Sequence, residues 1–323
     1  MLSSPHLRIE IADETFLFYQ NYNPTTVPIP DFSPTSAWNP KWNWFSNKEM
    51  TLYNRIDRAF LQLTYENVQL IAGKQVIAIG VGQIFNAVAQ MQRYPLVFID
   101  PEYPKTEDAV TFIWSGNLQL EARYLPKNPG QEKDNFHVRL KGSKKGFDVA
   151  FTGGRSDDKN FVGLETAGNL GDALLRAEVL GYTQKGKDYA QSLLGFDYVF
   201  SPKWSTKLEF FYNGFGERSS QNLAAYPHRP APFRGTWYAG NLTTWEIHPL
   251  LKANLLSIVN LKDPSALFHL YFNYSISNSL DLLVGQFYNC GKETSEFGGK
   301  LSISPTLSLG QPDITYAAIR WYF

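Results

Sequence analysis

The chain has 323 residues with 30 Lys+Arg against 30 Asp+Glu, so its zero formal charge offers no footprint for nucleic acid or acidic lipid. A single cysteine, Cys290, excludes an intrachain disulfide and a cysteine-based zinc site. Aromatic residues are 15%, high for a soluble domain, and no stretch approaches the roughly 18 uninterrupted apolar residues that a membrane-spanning helix needs.

The first extended run, Leu7 to Ile11, alternates Leu7, Ile9 and Ile11 with Arg8 and Glu10 and continues to Tyr19. A Pro- and Trp-rich segment, Asn21 to Met50, follows and reads as one long irregular loop. Tyr53 to Tyr65 sets Ala59, Leu61, Leu63 and Tyr65 against Arg58, Gln62 and Thr64, and a turn at Glu66-Asn67 returns the chain as Val68 to Ala78. In the second long segment, Ile79 to Thr106, the spacing of Ile84, Phe85, Val88 and Met91 suits a short amphipathic helix, which Pro95, Pro101 and Pro104 would end.

From Val110 onward the alternation is strict. One face carries Phe112, Trp114, Val138, Leu140, Val149, Phe151, Val162 and Leu164; the other carries Glu121, Arg123, Arg139, Lys141, Asp148 and Glu165. Leu175, Ala177 and Val179 oppose Arg176 and Glu178, while Asp197, Lys207 and Glu209 oppose Phe196, Leu208 and Phe210. A third long segment, Gly214 to Arg234, precedes runs near Trp237, Leu251, Phe268 and Leu280. The fourth, Asn289 to Gln311, precedes the run from Tyr316, where Ile319, Trp321 and Phe323 alternate with Arg320 and Tyr322.

Sixteen runs result, and their connections alternate in length. Those near Glu66, Gly116, Ser143, Asn169, Pro202, Pro249 and Asn278 are short, and all four long segments fall in the other set. This pattern and the apolar face on every run predict an all-β fold: a transmembrane antiparallel β-barrel of 16 strands, with long extracellular loops and short periplasmic turns, over residues 1–323 as one domain. A mean hydropathy of -0.29 is compatible, because each lipid-facing residue alternates with a polar one.

The terminal strand, ending on Phe323, resembles the closing strand of bacterial outer-membrane β-barrels. Gly73-Lys-Gln75 followed by Gly80-Val-Gly82 resembles the strand and infolded loop of porin-like families. The resemblance implies residence in a Gram-negative outer membrane, with outer-membrane lipid as a partner; it brings no substrate with it, and small hydrophilic solutes are expected as partners from the water-filled lumen of the barrel reading. It also implies assembly machinery acting through the C-terminal strand. A homo-oligomer or a protein partner remains open. Met1-Leu-Ser-Ser-Pro-His lacks the pattern of a signal peptide, and the expectation is that one was removed.

Sixteen strands enclose a lumen too wide for side chains to fill. The expected pore-lining residues are Arg58, Glu121, Arg123, Arg139, Lys141, Asp148, Arg176, Glu178, Asp197, Lys207, Glu209 and Arg320; the expected constriction-loop residues are Arg93, Asp100, Glu102 and Lys105. Either these charges set selectivity, or they pair across strands and solvate the wall. The apolar Phe85, Val88 and Met91 place the Ile79 to Thr106 segment inside or across the mouth, or against a rim or neighbour. Scattered histidines, with no Ser or Asp beside them on one strand, give no catalytic constellation, and no metal or cofactor is expected. Two functions follow: a porin for passive diffusion of small hydrophilic solutes, or a plugged scaffold whose exposed Trp38, Trp42 and Trp44 meet a partner.

Overall fold

The computed structural model describes residues 4–21, 38, 40–46, 50–88, 106–127, 134–156, 159–184, 186–216, 233–292, 295–298, 301–304, 307–309 and 313–321. Within these, the side chains of 13–21, 46, 50, 51, 301–304, 307–309, 314, 320 and 321 are outside the description. The described secondary structure is all strand, and every pairing is antiparallel.

The strands begin with β1 (His6–Asn21), β2 (Lys41–Ser46), β3 (Met50–Tyr65), β4 (Val68–Val76), β5 (Thr106–Ser115), β6 (Gln119–Leu125), β7 (Asn135–Lys144) and β8 (Phe147–Ser156). They continue as β9 (Lys159–Leu170), β10 (Ala173–Gln184), β11 (Lys187–Ser201), β12 (Trp204–Asn213), β13 (Trp237–His248) and β14 (Leu251–Asn260). The last are β15 (Ser265–Ser277), β16 (Leu280–Cys290), β17 (Leu301–Ser304), β18 (Leu307–Leu309) and β19 (Ile314–Trp321). β3 to β16 pair in sequence order; β16 pairs with β19, β19 with β1, and β1 with β3. The series therefore returns to its start through sixteen strands.

The three remaining strands lie in segments expected to be irregular. β2 pairs with the upper part of β3, Trp42 opposite Asn54, where β4 no longer reaches. β17 and β18 form a separate hairpin. The short connections fall where the turn residues predict them. At Lys145-Gly146 both residues have positive φ, 52° and 80°, the backbone a two-residue hairpin needs.

Burial assigns the faces. Val162 and Leu164 on β9 are 56% and 50% exposed, whereas Glu165 beside them is 1% exposed. The outward side chains are apolar and the charged ones point in, the reverse of a soluble sheet. At the turn end of β12 and β13, Trp204 faces Trp245; at the loop end Tyr212 faces Trp237, with ring centroids 4.7 Å apart. These rings mark the two limits of an apolar belt.

Candidate functional site: an infolded segment clamped to the wall

After β4 the chain turns into the ring of strands rather than away from it. Ile77, Ile79, Phe85, Ala87 and Val88 are all buried. Two wall carboxylates hold the backbone of this segment. Glu178 on β10 accepts from Val81 N, from Gly82 N at 2.7 Å, from Ala87 N at 2.7 Å and from Val88 N at 3.2 Å. Glu209 on β12 accepts from Gln83 N at 2.7 Å, Ile84 N at 3.0 Å and Phe85 N at 2.8 Å.

Arg176 completes the clamp. Its guanidinium donates to Val81 O at 2.8 Å and to Glu209 and Asp197. Gly195 lies between Arg176 and Glu209 in register, and a Cβ there would stand 3.3 Å from both side chains. The missing side chain leaves the ion pair its room.

Of the helix expected from Ile84, Phe85, Val88 and Met91, residues Ile84 to Val88 are not helical, and Met91 lies outside the described residues. The physical reason is on the wall: the N–H groups of Ala87 and Val88, which a helix would spend on the carbonyls of Gln83 and Ile84, are bound to Glu178 instead. Gly82 is required by the tight path, since a Cβ would lie 1.8 Å from Phe85 O.

Phe85 anchors the segment. Its ring stacks on Phe211 at 5.2 Å and meets Phe233 at 5.0 Å and Tyr238 at 6.0 Å. Gly240 on β13 opens the wall for it, because a Cβ there would be 2.7 Å from the Phe85 ring. A second connection joins the same cluster. Phe297 packs against Tyr238, and Glu296 accepts from Arg234 N at 2.7 Å and from Tyr238 Oη and Asn260 Nδ2 at 2.6 Å each. Burial pushes the Glu296 carboxyl above its ordinary range, against the pull of those three donors.

The other wall charges expected from the sequence are also brought together. Arg139 bridges Glu165 and Glu121, and Arg123 pairs with Glu121. Arg58 meets Glu10 at 2.9 Å and Asp57 at 3.1 Å; Lys141 meets Asp148 at 3.0 Å. Lys207 reaches the infolded segment, donating to Gln83 Oε1 at 3.0 Å. Glu178, Glu209 and Arg176 lie beneath the segment, 1%, 0% and 2% exposed. Arg93, Asp100, Glu102 and Lys105, and the side chain of Arg320, lie outside the described residues.

Sequence reasoning singled out Glu178, Glu209 and Arg176 but not what they hold, because main-chain N–H groups carry no signature. It missed Asp57, Glu107 and Lys127, the last two paired at 2.9 Å. Alternation would have found Glu107, which shares the inward phase of Ala109 and Thr111.

No protein-family model and no curated protein matches this chain. Solved structures do. A multiply substituted porin of Rhodopseudomonas blastica aligns at a TM-score of 0.56 and 9% identity, covering 98% of this chain and 100% of that one. OccD3 of Pseudomonas aeruginosa aligns at 0.57 and 11%, covering 98% and 91%. At such identities the likeness shows the fold: an antiparallel barrel of the porin kind.

Proposed function

We propose that this chain is an outer-membrane channel of the porin kind, passing small hydrophilic solutes by diffusion through a lumen that the infolded segment narrows. The clamp carries this reading: seven main-chain N–H groups of residues 81–88 are bound to Glu178 and Glu209. A loop tied to the inner wall by charged groups keeps its position against flow, as a size filter must. The fold shared with the porins of R. blastica and P. aeruginosa supports it, as does the belt of outward apolar residues between aromatic rings.

In this reading the whole chain is one barrel domain in the outer membrane, the outward belt meets lipid, and β19 is the strand through which assembly machinery acts. The test is single-channel conductance in a planar bilayer under a salt gradient. Steady conductance with a small reversal potential is the expected result; a folded barrel that stays silent would overturn it.

A plugged barrel is the second reading. One observation favours it: Phe85, Phe211, Phe233, Tyr238 and Phe297 form a continuous aromatic cluster among inward residues, as a filled core does. Removing the segment's hold separates the two, since a plug released from the wall converts a silent barrel into a conducting one.

A further inference from the structure

At the depth of the infolded segment, the described inward side chains divide by chemistry. On β11 to β16 they include Leu193, Phe211, Tyr238, Ile258, Leu267 and Phe287, packed with Phe85 into one apolar cluster. On β5 to β10 the inward wall is richer in polar groups, although Ala109, Leu125, Phe161, Leu180 and Tyr182 also lie on it, and several buried atoms there have no hydrogen-bond partner: Thr111 Oγ1, both ring nitrogens of His137, Glu165 Oε2 and Arg176 Nε. All four residues are at most 2% exposed.

Register makes these atoms neighbours rather than scattered defects. Thr111 pairs with Arg123 and Arg123 with His137, so the three stand side by side on β5, β6 and β7. Glu165 joins them through Arg139, two residues along β7 from His137. Other such atoms include those on Asn254 and Asn273, near the turn ends of β14 and β15, and on Asp263, in the connection between the two strands, all away from this group.

Buried polar atoms without partners are costly to a closed wall and are relieved when water or a solute reaches them. Opening the apolar side does the reverse, because it exposes packed rings to water. The polar side is therefore where passage costs least.

The charges at this place are balanced. Arg123, Lys127 and Arg139 are each paired with Glu107, Glu121 or Glu165. What remains free beside these pairs is a hydroxyl, an imidazole and one carboxylate oxygen, a mixture of donors and acceptors, while the Arg176 guanidinium belongs to the clamp beneath the segment.

We propose that solutes cross the segment's depth along the β5 to β10 wall, that Thr111 and His137 line this route, and that it suits small uncharged hydroxylated solutes. This rests on the channel reading and adds where the channel runs and what it favours.

The test uses the full chain with Cys290→Ser, and Thr111→Cys, His137→Cys or Leu267→Cys added singly. Each folded barrel is treated with a small hydrophilic methanethiosulfonate, and entry of an uncharged polyol into proteoliposomes is followed by swelling. The expected result is that Thr111→Cys and His137→Cys react, that modification slows polyol entry about twofold or more, and that Leu267→Cys does neither. Thr111→Cys nearly conserves volume and serves where His137→Cys does not fold.

Unreactive thiols in a barrel that admits the polyol would overturn the route, as would reaction without any slowing. If the parent barrel admits neither polyol nor ions, the channel reading fails by itself. Thiol reactivity then still decides whether water reaches this wall, and unreactive thiols would sink the inference as well.

Discussion

Glu178 spends both carboxylate oxygens on four main-chain N–H groups, and Glu209 spends its own on three more and on Arg176. Hydrogen bonds to a charged group contribute about 1.5 to 3 kcal/mol each. Glu178→Gln replaces one oxygen with an NH2 that faces N–H donors. The substitution should loosen the segment by about 3 kcal/mol or more while the strands stay paired. Limited proteolysis within 79–88 and a larger, noisier conductance are the expected readouts; unchanged proteolysis would deny the clamp its role. Glu296 gives a pH prediction with a definite sign. Its folded-state pKa is raised by burial, so its contribution to holding residues 295–298 is complete below the ordinary glutamate value. That contribution is lost as pH rises through the elevated value. Protection of the Arg234 amide, its exchange rate relative to a free amide at the same pH, should fall over that interval in the parent and stay constant with pH in Glu296→Gln.

Among the elements, the infolded segment depends on Phe85 as much as on the carboxylates. Phe85→Ala removes a ring that is 1% exposed and packed against Phe211, Phe233 and Tyr238. A loss of about 3 to 5 kcal/mol in docking is expected. Because Phe233 and Phe297 share that cluster, exchange should rise in residues 233–236 and 295–298 as well as in 79–88, and a change confined to 79–88 would show the connections to be independent. Strands and turns were legible from the period of two and from pairs such as Glu66-Asn67, since both are local. β2 was not. Trp42-Asn-Trp44 does alternate, but Pro40 precedes it, and a bulge at Trp44 shifts the register, which hides a six-residue strand inside a Pro-rich run. The helix read from Ile84, Phe85, Val88 and Met91 does not form over 84–88 for a different reason: the apolar spacing was real, but a distant glutamate takes the N–H groups of Ala87 and Val88.

For the molecule as a whole, the alternation of apolar and polar residues was enough to give the barrel and its strand number, because lipid outside and polar groups inside impose one rule on every strand. The site was legible only as a list of inward charges. Which of them meet depends on register around the ring, and no single strand carries that. Paired charges also bear on selectivity: with Arg58, Arg123, Arg139, Lys141 and Arg176 all matched by carboxylates, the reversal potential should stay small under a tenfold salt gradient. Lys207→Glu, at the contact with Gln83, should move it toward cation preference, whereas a strongly anion- or cation-selective parent would contradict the balance.

The pairing of β1 with β19, Leu17 opposite Ile319, sets the timetable of folding. Every other seam of the ring joins strands linked by at most 29 residues, but this one joins partners about as far apart as the chain allows, which makes it entropically late. Until it forms, β1 presents a row of unsatisfied backbone groups able to recruit a strand from another molecule. The last seam to close is therefore also the point at which a nascent barrel is most exposed to aggregation.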